Sequence, residues 1–149
     1  VSGVRGPKII ETLAATFTDI SPRLDVTDWS DVATAVEQTV HHPSFVVVIT
    51  KIPPAGMDTE FTDTLSRLAD RHTVLVASAT DPDEIRARHG LSNAEEVFLA
   101  ASAALSQRAD DAGAADARLA GALTLQASAE LLPARTADRY IELKKAGRL

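Results

Sequence analysis

Cysteine is absent from this chain, which excludes disulfides, a thiolate nucleophile and any zinc site built on sulfur, and fits a reducing, cytoplasmic compartment. Long apolar runs are absent as well. No stretch approaches the ~18 to 20 consecutive apolar residues of a membrane span, and the first residues lack the charged-then-apolar pattern of a signal peptide. Direct insertion of this chain into a bilayer is therefore not expected. Positive charge is scarce. A formal net charge of −6 argues against a surface that wraps nucleic acid, because neutralising phosphates takes clustered Lys and Arg. Local basic character is concentrated chiefly at Lys144, Lys145 and Arg148.

Catalytic and nucleotide-binding signatures are missing too. Ser, His and Asp occur in quantity, but no G-x-S-x-G elbow is present to support an α/β-hydrolase. Gly3-Val4-Arg5-Gly6-Pro7-Lys8 ends in Gly-Pro-Lys where a phosphate loop needs Gly-Lys-Ser or Gly-Lys-Thr, and no G-x-G-x-x-G occurs. His41 and His42 are adjacent and project differently, while His72 and His89 each precede a structural boundary, so metal-ligand spacing is lacking. Neither a cofactor nor a metal is expected.

What is present is a chain of 149 residues, 45% hydrophobic and 24% charged, the size and balance of one folded domain. After a Gly- and Pro-containing start that reads as loop, Ile9, Ile10, Leu13, Ala14 and Phe17 recur at helical spacing from Lys8 until Ser21-Pro22. Arg23 to Val26 reads as extended. Thr27 or Asp28 then caps a helix carrying Trp29, Val32, Ala33, Val36 and Val40 on one face. Phe45 to Thr50 follows as an unbroken β-branched run without polar alternation, the signature of a strand buried on both faces. Thr59 to Arg71 returns to helical spacing, and Thr73 to Ser78 repeats the buried-strand signature before the turn Asp81-Pro82-Asp83.

Ser92 or Asn93 caps a long Ala-rich helix with Glu95 and Glu96 in its first turn, and Gly113 marks a possible break within it. Gly121 terminates that helix. Leu123 to Ala127 is shorter and more polar, as an edge strand would be. Pro133 opens a last helix whose apolar face is expected to comprise Ala137, Tyr140, Ile141 and Leu143. Alternating helices and strands demand parallel pairing with right-handed crossovers, giving a three-layer, doubly wound α/β domain. Val46, Val48, Val74, Val76, Leu65, Leu68, Trp29 and Tyr140 are its expected core.

In an open parallel sheet, ligands bind outside the carboxyl ends of the strands. That rule collects Thr27, Asp28, Thr50, Lys51, Ser78 and Asp81 at one rim as candidate binding residues. Asp28 and Asp81 have an ordinary structural use at such positions, as a cap and a turn former. A rival reading builds a hydrolase or transferase at the same crevice, and another makes the chain a structural or homo-oligomerising unit.

The phrase Leu68-Ala69-Asp70-Arg71-His72-Thr73-Val74-Leu75-Val76-Ala77-Ser78 with Asp81-Pro82, and the ending Asp138 to Leu149, resemble the family called domain of unknown function 58. Val1 to Gly6 and Thr27-Asp28-Trp29 extend the likeness over nearly the whole chain in the same order. The resemblance implies the carboxyl-terminal part of a von Willebrand factor A-like domain, with its first strands and membrane-spanning helices upstream in a longer protein. It also implies a role as partner or adaptor of a MoxR-type AAA+ ATPase at the cytoplasmic face of the membrane. A-type domains often hold a divalent cation through an Asp-x-Ser-x-Ser segment, a loop Thr and an Asp after a central strand. Here that segment is missing, Thr27 matches the loop Thr, and Lys51 stands where the Asp belongs, so metal-independent binding is expected.

Overall fold

The computed structural model describes residues 25–82 and 93–149, together with Thr12, Ala15, Thr16, Thr18, Ser21 and Arg86. Thr12, Ala15, Thr16 and Thr18 are helical. The apolar face expected of that first helix lies outside the described residues, as do Arg23, Leu24, Asp83 and Ser92.

Local capping chemistry sets where the helices begin. Helix α1, Trp29–Thr39, starts at Asp28, whose carboxylate accepts from the Asp31 amide at 2.9 Å. Strand β1, Phe45–Ile49, leads to helix α2, Thr59–Ala69, which starts at Asp58 in the same way through the Phe61 amide at 2.9 Å. Strand β2, Thr73–Thr80, runs two residues past the expected Ser78. Asn93 caps helix α3, Ala94–Leu119, by accepting from the Glu96 amide at 2.9 Å. Gly121, at φ +90°, then turns the chain by a left-handed step that an L side chain resists, and releases strand β3, Leu123–Ser128. Helix α4, Leu132–Lys145, has Pro133 in its first turn.

The three strands form one parallel sheet in the order β1-β2-β3. Val46 aligns with Val74 and Val48 with Val76, while Val76 aligns with Thr124 and Ser78 with Gln126. Val74 and Val76 enter a core built with Trp29, Ala33, Ile52, Phe61, Leu65, Leu68, Ala114 and Ala117, so α1, α2 and α3 cover that face. Alternation turns Leu75 and Ala77 to the other face. There α4 packs on β2 and β3, and its Tyr140 ring lies 5.8 Å from Phe45. Helices α1 to α4 and the small parallel sheet thus make an α/β arrangement consistent with part of a Rossmann-like fold.

Several expectations need correction. The β1 run is not buried on both faces: Val46 and Val48 are half-buried and Ile49 is 75% exposed. An apolar run does not by itself set a strand's place in the sheet, and among the described residues β1 has a strand on one side only. Tyr140 is 42% exposed, because α4 seats Leu132 and Leu143 on the sheet and leaves Tyr140 at the flank, with Ala137 and Ile141 exposed beyond it. No break occurs at Gly113, which lies buried in the continuous α3.

Burial in the central strand yields a direct expectation. Val76 is fully buried. Val76→Ala should cost about 1–3 kcal/mol through lost transfer energy and the residual cavity. Urea denaturation should show this as a lower midpoint at unchanged slope, and a midpoint within error of the parent would contradict the packing of β2.

Candidate functional site

At the carboxyl ends of the strands a cavity of about 190 Å³ opens, lined by Lys51, Ser78, Thr80, Asp81, Gln107, Asp110 and Gln126, with Ala79 between. Each lining residue has a structural reason to be there. Ser78 and Gln126 are register partners on the face of the sheet that meets α3. Lys51 leaves β1 just before Ile52, whose nearly complete burial ties the loop into the core. Gln107 and Asp110 belong to the core-facing row Ala103, Gln107, Asp110, Ala114 and Ala117, at spacings of four and three residues. Polar residues in an otherwise small apolar row mark a helix that passes over a polar site.

Ser78 is the most informative member. It is only 6% exposed, and among the described residues no hydrogen bond reaches its hydroxyl. The hydroxyl opens on the cavity, where it can both donate and accept a hydrogen bond. Gln107 is held by donation from Nε2 to Asp111 Oδ1 at 2.8 Å, one helical turn on, which orients its amide. Lys51 is exposed at the lip and supplies the positive charge, opposite the carboxylates of Asp81 and Asp110.

Of the six residues expected at the rim, Lys51, Ser78 and Asp81 line this cavity. Asp28 is engaged as the α1 cap, with Thr27 exposed beside it. Thr50 donates its hydroxyl to the Lys51 carbonyl at 3.2 Å and its amide to the Ala77 carbonyl at 3.1 Å, so it ties β1 to β2. Gln107, Asp110 and Gln126 were not anticipated. Their signal was the interrupted row on α3 and the register of β3 with β2, neither visible until those elements are paired.

Other features lie elsewhere. A cavity of about 560 Å³ sits at the amino ends of the strands, between Phe45, Tyr140, Arg71, Arg148 and Leu149. The adjoining His72 is 6% exposed, and both its ring nitrogens lack a hydrogen-bond partner. On the outer side of α1 and α2, Arg67 grips Glu37 by two hydrogen bonds, with Nε to Oε1 at 2.8 Å. That bond holds the Glu37 carboxyl below its ordinary value. A depressed carboxyl stabilises the fold above its unfolded pKa and loses that contribution as pH falls through the folded one, but this exposed pair contributes little.

No cluster of three or more His, Cys, Asp or Glu arranged to hold a metal occurs among the described residues. No described helix is long and apolar enough to cross a membrane. Comparison with protein-family models, with curated proteins and with solved structures returns no match.

Proposed function

We propose that this chain is a non-catalytic protein-interaction module, the carboxyl-terminal part of a von Willebrand factor A-like domain within a larger membrane-associated bacterial protein. Its partner docks at the carboxyl-end rim and inserts one polar side chain between Lys51 and Asp110, against the Ser78 hydroxyl. The observation that carries this reading is the size and chemistry of that cavity. At about 190 Å³ it falls below the ~300–1,000 Å³ of small-molecule and cofactor sites, and matches a single side chain instead. Its polar lining supplies specificity by hydrogen bonds and paired charge.

The half-buried β1 supports the remainder of the proposal. A Phe-Val-Val-Val-Ile strand at a sheet edge is an aggregation hazard, which a further strand from the longer protein would remove. The sequence resemblance is what favours a MoxR-type AAA+ ATPase as the partner class and the cytoplasmic face of the membrane as the location. Lys51 supports a metal-independent contact, since an ammonium repels a hard cation and cannot ligate it.

Affinity capture with the full-length protein tests this. Wild type should recover the ATPase with or without a chelator, and Lys51→Glu and Asp110→Lys should each reduce recovery about tenfold or more, as for charged groups at a docking point. Equal recovery by both variants would remove the rim from the interaction.

A further inference from the structure

The amino ends of β1 and β2 border a space that the rim reading leaves unused. Phe45 opens β1, its register partner Thr73 opens β2, and both line the cavity of about 560 Å³. That volume falls within the ~300–1,000 Å³ of small-molecule sites, unlike the cavity at the rim. Part of its wall is aromatic. Phe45 is half-buried, and the Tyr140 ring from the flank of α4 lies 5.8 Å from it with the planes at 46°.

The polar groups of this cavity are set in place by backbone chemistry. α4 ends before Gly147, whose φ of +67° turns the chain so that the Arg148 amide donates to the Leu143 carbonyl at 3.0 Å. The Arg148 carbonyl accepts from the Thr73 hydroxyl at 3.2 Å, which pins this residue to the start of β2. Its guanidinium has no hydrogen bond or ion pair among the described residues. Arg71, between α2 and β2, donates from Nη2 to the His41 carbonyl. These two cations outweigh the one side-chain carboxylate of the lining, that of Asp70, so the surroundings favour an anion. His72 is a separate indication. It lines the cavity at 6% exposure, and neither of its ring nitrogens has a partner. Imidazole carries at least one N–H donor in either tautomer and when protonated, and a carboxylate oxygen is the acceptor matched to it.

We propose that this cavity binds a small aromatic carboxylic acid, its carboxylate held by the Arg148 guanidinium and the His72 ring and its flat body against Phe45 and Tyr140. A guanidinium offers a carboxylate two parallel charge-assisted hydrogen bonds, and the aromatic wall offers apolar contact. A surplus of one positive side chain matches a monoanion better than a dianionic phosphate ester. Tyr140 is 42% exposed, so the site is partly open and the affinity modest, with a Kd on the order of 100 μM for a ligand of about a dozen heavy atoms. The site is independent of the rim, which lies at the other ends of the strands.

Titration of 2-naphthoate and of its neutral isostere 2-naphthamide into the isotopically labelled chain, up to about 5 mM and followed by NMR, tests the proposal. Naphthoate should saturate and move the backbone amides of Phe45, His72, Thr73, Tyr140 and Arg148. Naphthamide should bind at least tenfold more weakly, since it lacks the charge. Arg148→Gln should weaken naphthoate about tenfold and leave naphthamide unchanged, with Arg148→Lys in between. His72 is followed in place, because replacing a buried residue endangers the fold: its ring nitrogen resonances should shift with naphthoate. Tyr140→Ala should weaken both ligands, and Lys51→Glu, at the rim, neither. Failure of naphthoate to saturate, equal affinity for naphthamide, indifference to Arg148→Gln, an unmoved His72 ring, or shifts centred on Lys51, Ser78 and Gln126 would each overturn the proposal.

Discussion

Gly113→Ala is expected to destabilise the domain by about 1–3 kcal/mol, although the same change in an exposed helix interior would stabilise by about 1 kcal/mol. The sign is decided by what passes over the helix. A Cβ at Gly113 would enter the van der Waals shell of the Pro53 carbonyl oxygen and lie 3.1 Å from the Pro53 carbonyl carbon and 3.2 Å from Ile52 Cγ2. These are not the loose ends of flexible side chains. Pro53 is followed by Pro54, which stiffens the loop, and Ile52 is buried against the core that α3 helps to form. Relief must come from moving the whole loop off the helix, which loosens Ile52 from its neighbours.

That movement also displaces Lys51, the residue before Ile52, relative to Gln107 and Asp110 on α3. The substitution should therefore reduce capture of the rim's partner even at temperatures where the domain remains folded. Gly56 provides the comparison. Its Cβ would meet open space, so Gly56→Ala costs only the backbone strain of φ +70°, on the order of 1 kcal/mol. Guanidinium denaturation of both variants should rank Gly113→Ala well below Gly56→Ala. The reverse order would mean that α3 and the Pro53 loop are not in contact.

Gly113 illustrates what the sequence could and could not convey. Its propensity cost was legible and suggested a break, but the close approach that offsets this cost comes from a loop sixty positions earlier. Elements whose signal is local were readable: caps at Asp28 and Asn93, the Gly121 terminator, and the parallel strands at Phe45, Thr73 and Leu123. Position within the sheet was not. An apolar run reports the hydrophobicity of β1, while its half-burial depends on which chain segment lies beside it. Tyr140 failed similarly, because helical periodicity permits either flank of α4 and only packing selects Leu132 and Leu143. At the rim, the strand-end rule placed Lys51, Ser78 and Asp81, whereas Gln107 and Asp110 looked like ordinary surface residues until α3 was laid across β3.

The largest loss of stability is expected from Phe61→Ala, about 3–5 kcal/mol, a substantial part of the ~5–15 kcal/mol that holds a domain together. Phe61 is 2% exposed and sits where α1, α2, α3 and the sheet converge. Its ring meets that of Trp29 edge-on, with centroids 4.8 Å apart and planes at 62°, adding a directional contribution to the burial of both rings. The surrounding bonds keep the cavity from collapsing. Trp29 Nε1 donates to Asp58 Oδ2 at 3.0 Å, and its carbonyl accepts from the buried Thr64 hydroxyl at 3.0 Å, so the indole cannot slide into the vacated space without breaking them. Asp58 is committed in turn as the cap of α2. Phe61→Leu, which retains much of the volume, should cost clearly less. Because Trp29 is the only tryptophan, its fluorescence reports on this joint alone: Phe61→Ala should shift native-state emission to the red, and should lower the denaturation midpoint with little change in slope. An unchanged emission maximum with a loss under about 1 kcal/mol would show that α1 is not anchored through this contact. It would also detach the Thr27–Asp28 turn, which Trp29 holds in place at the start of α1, from the rigid part of the domain.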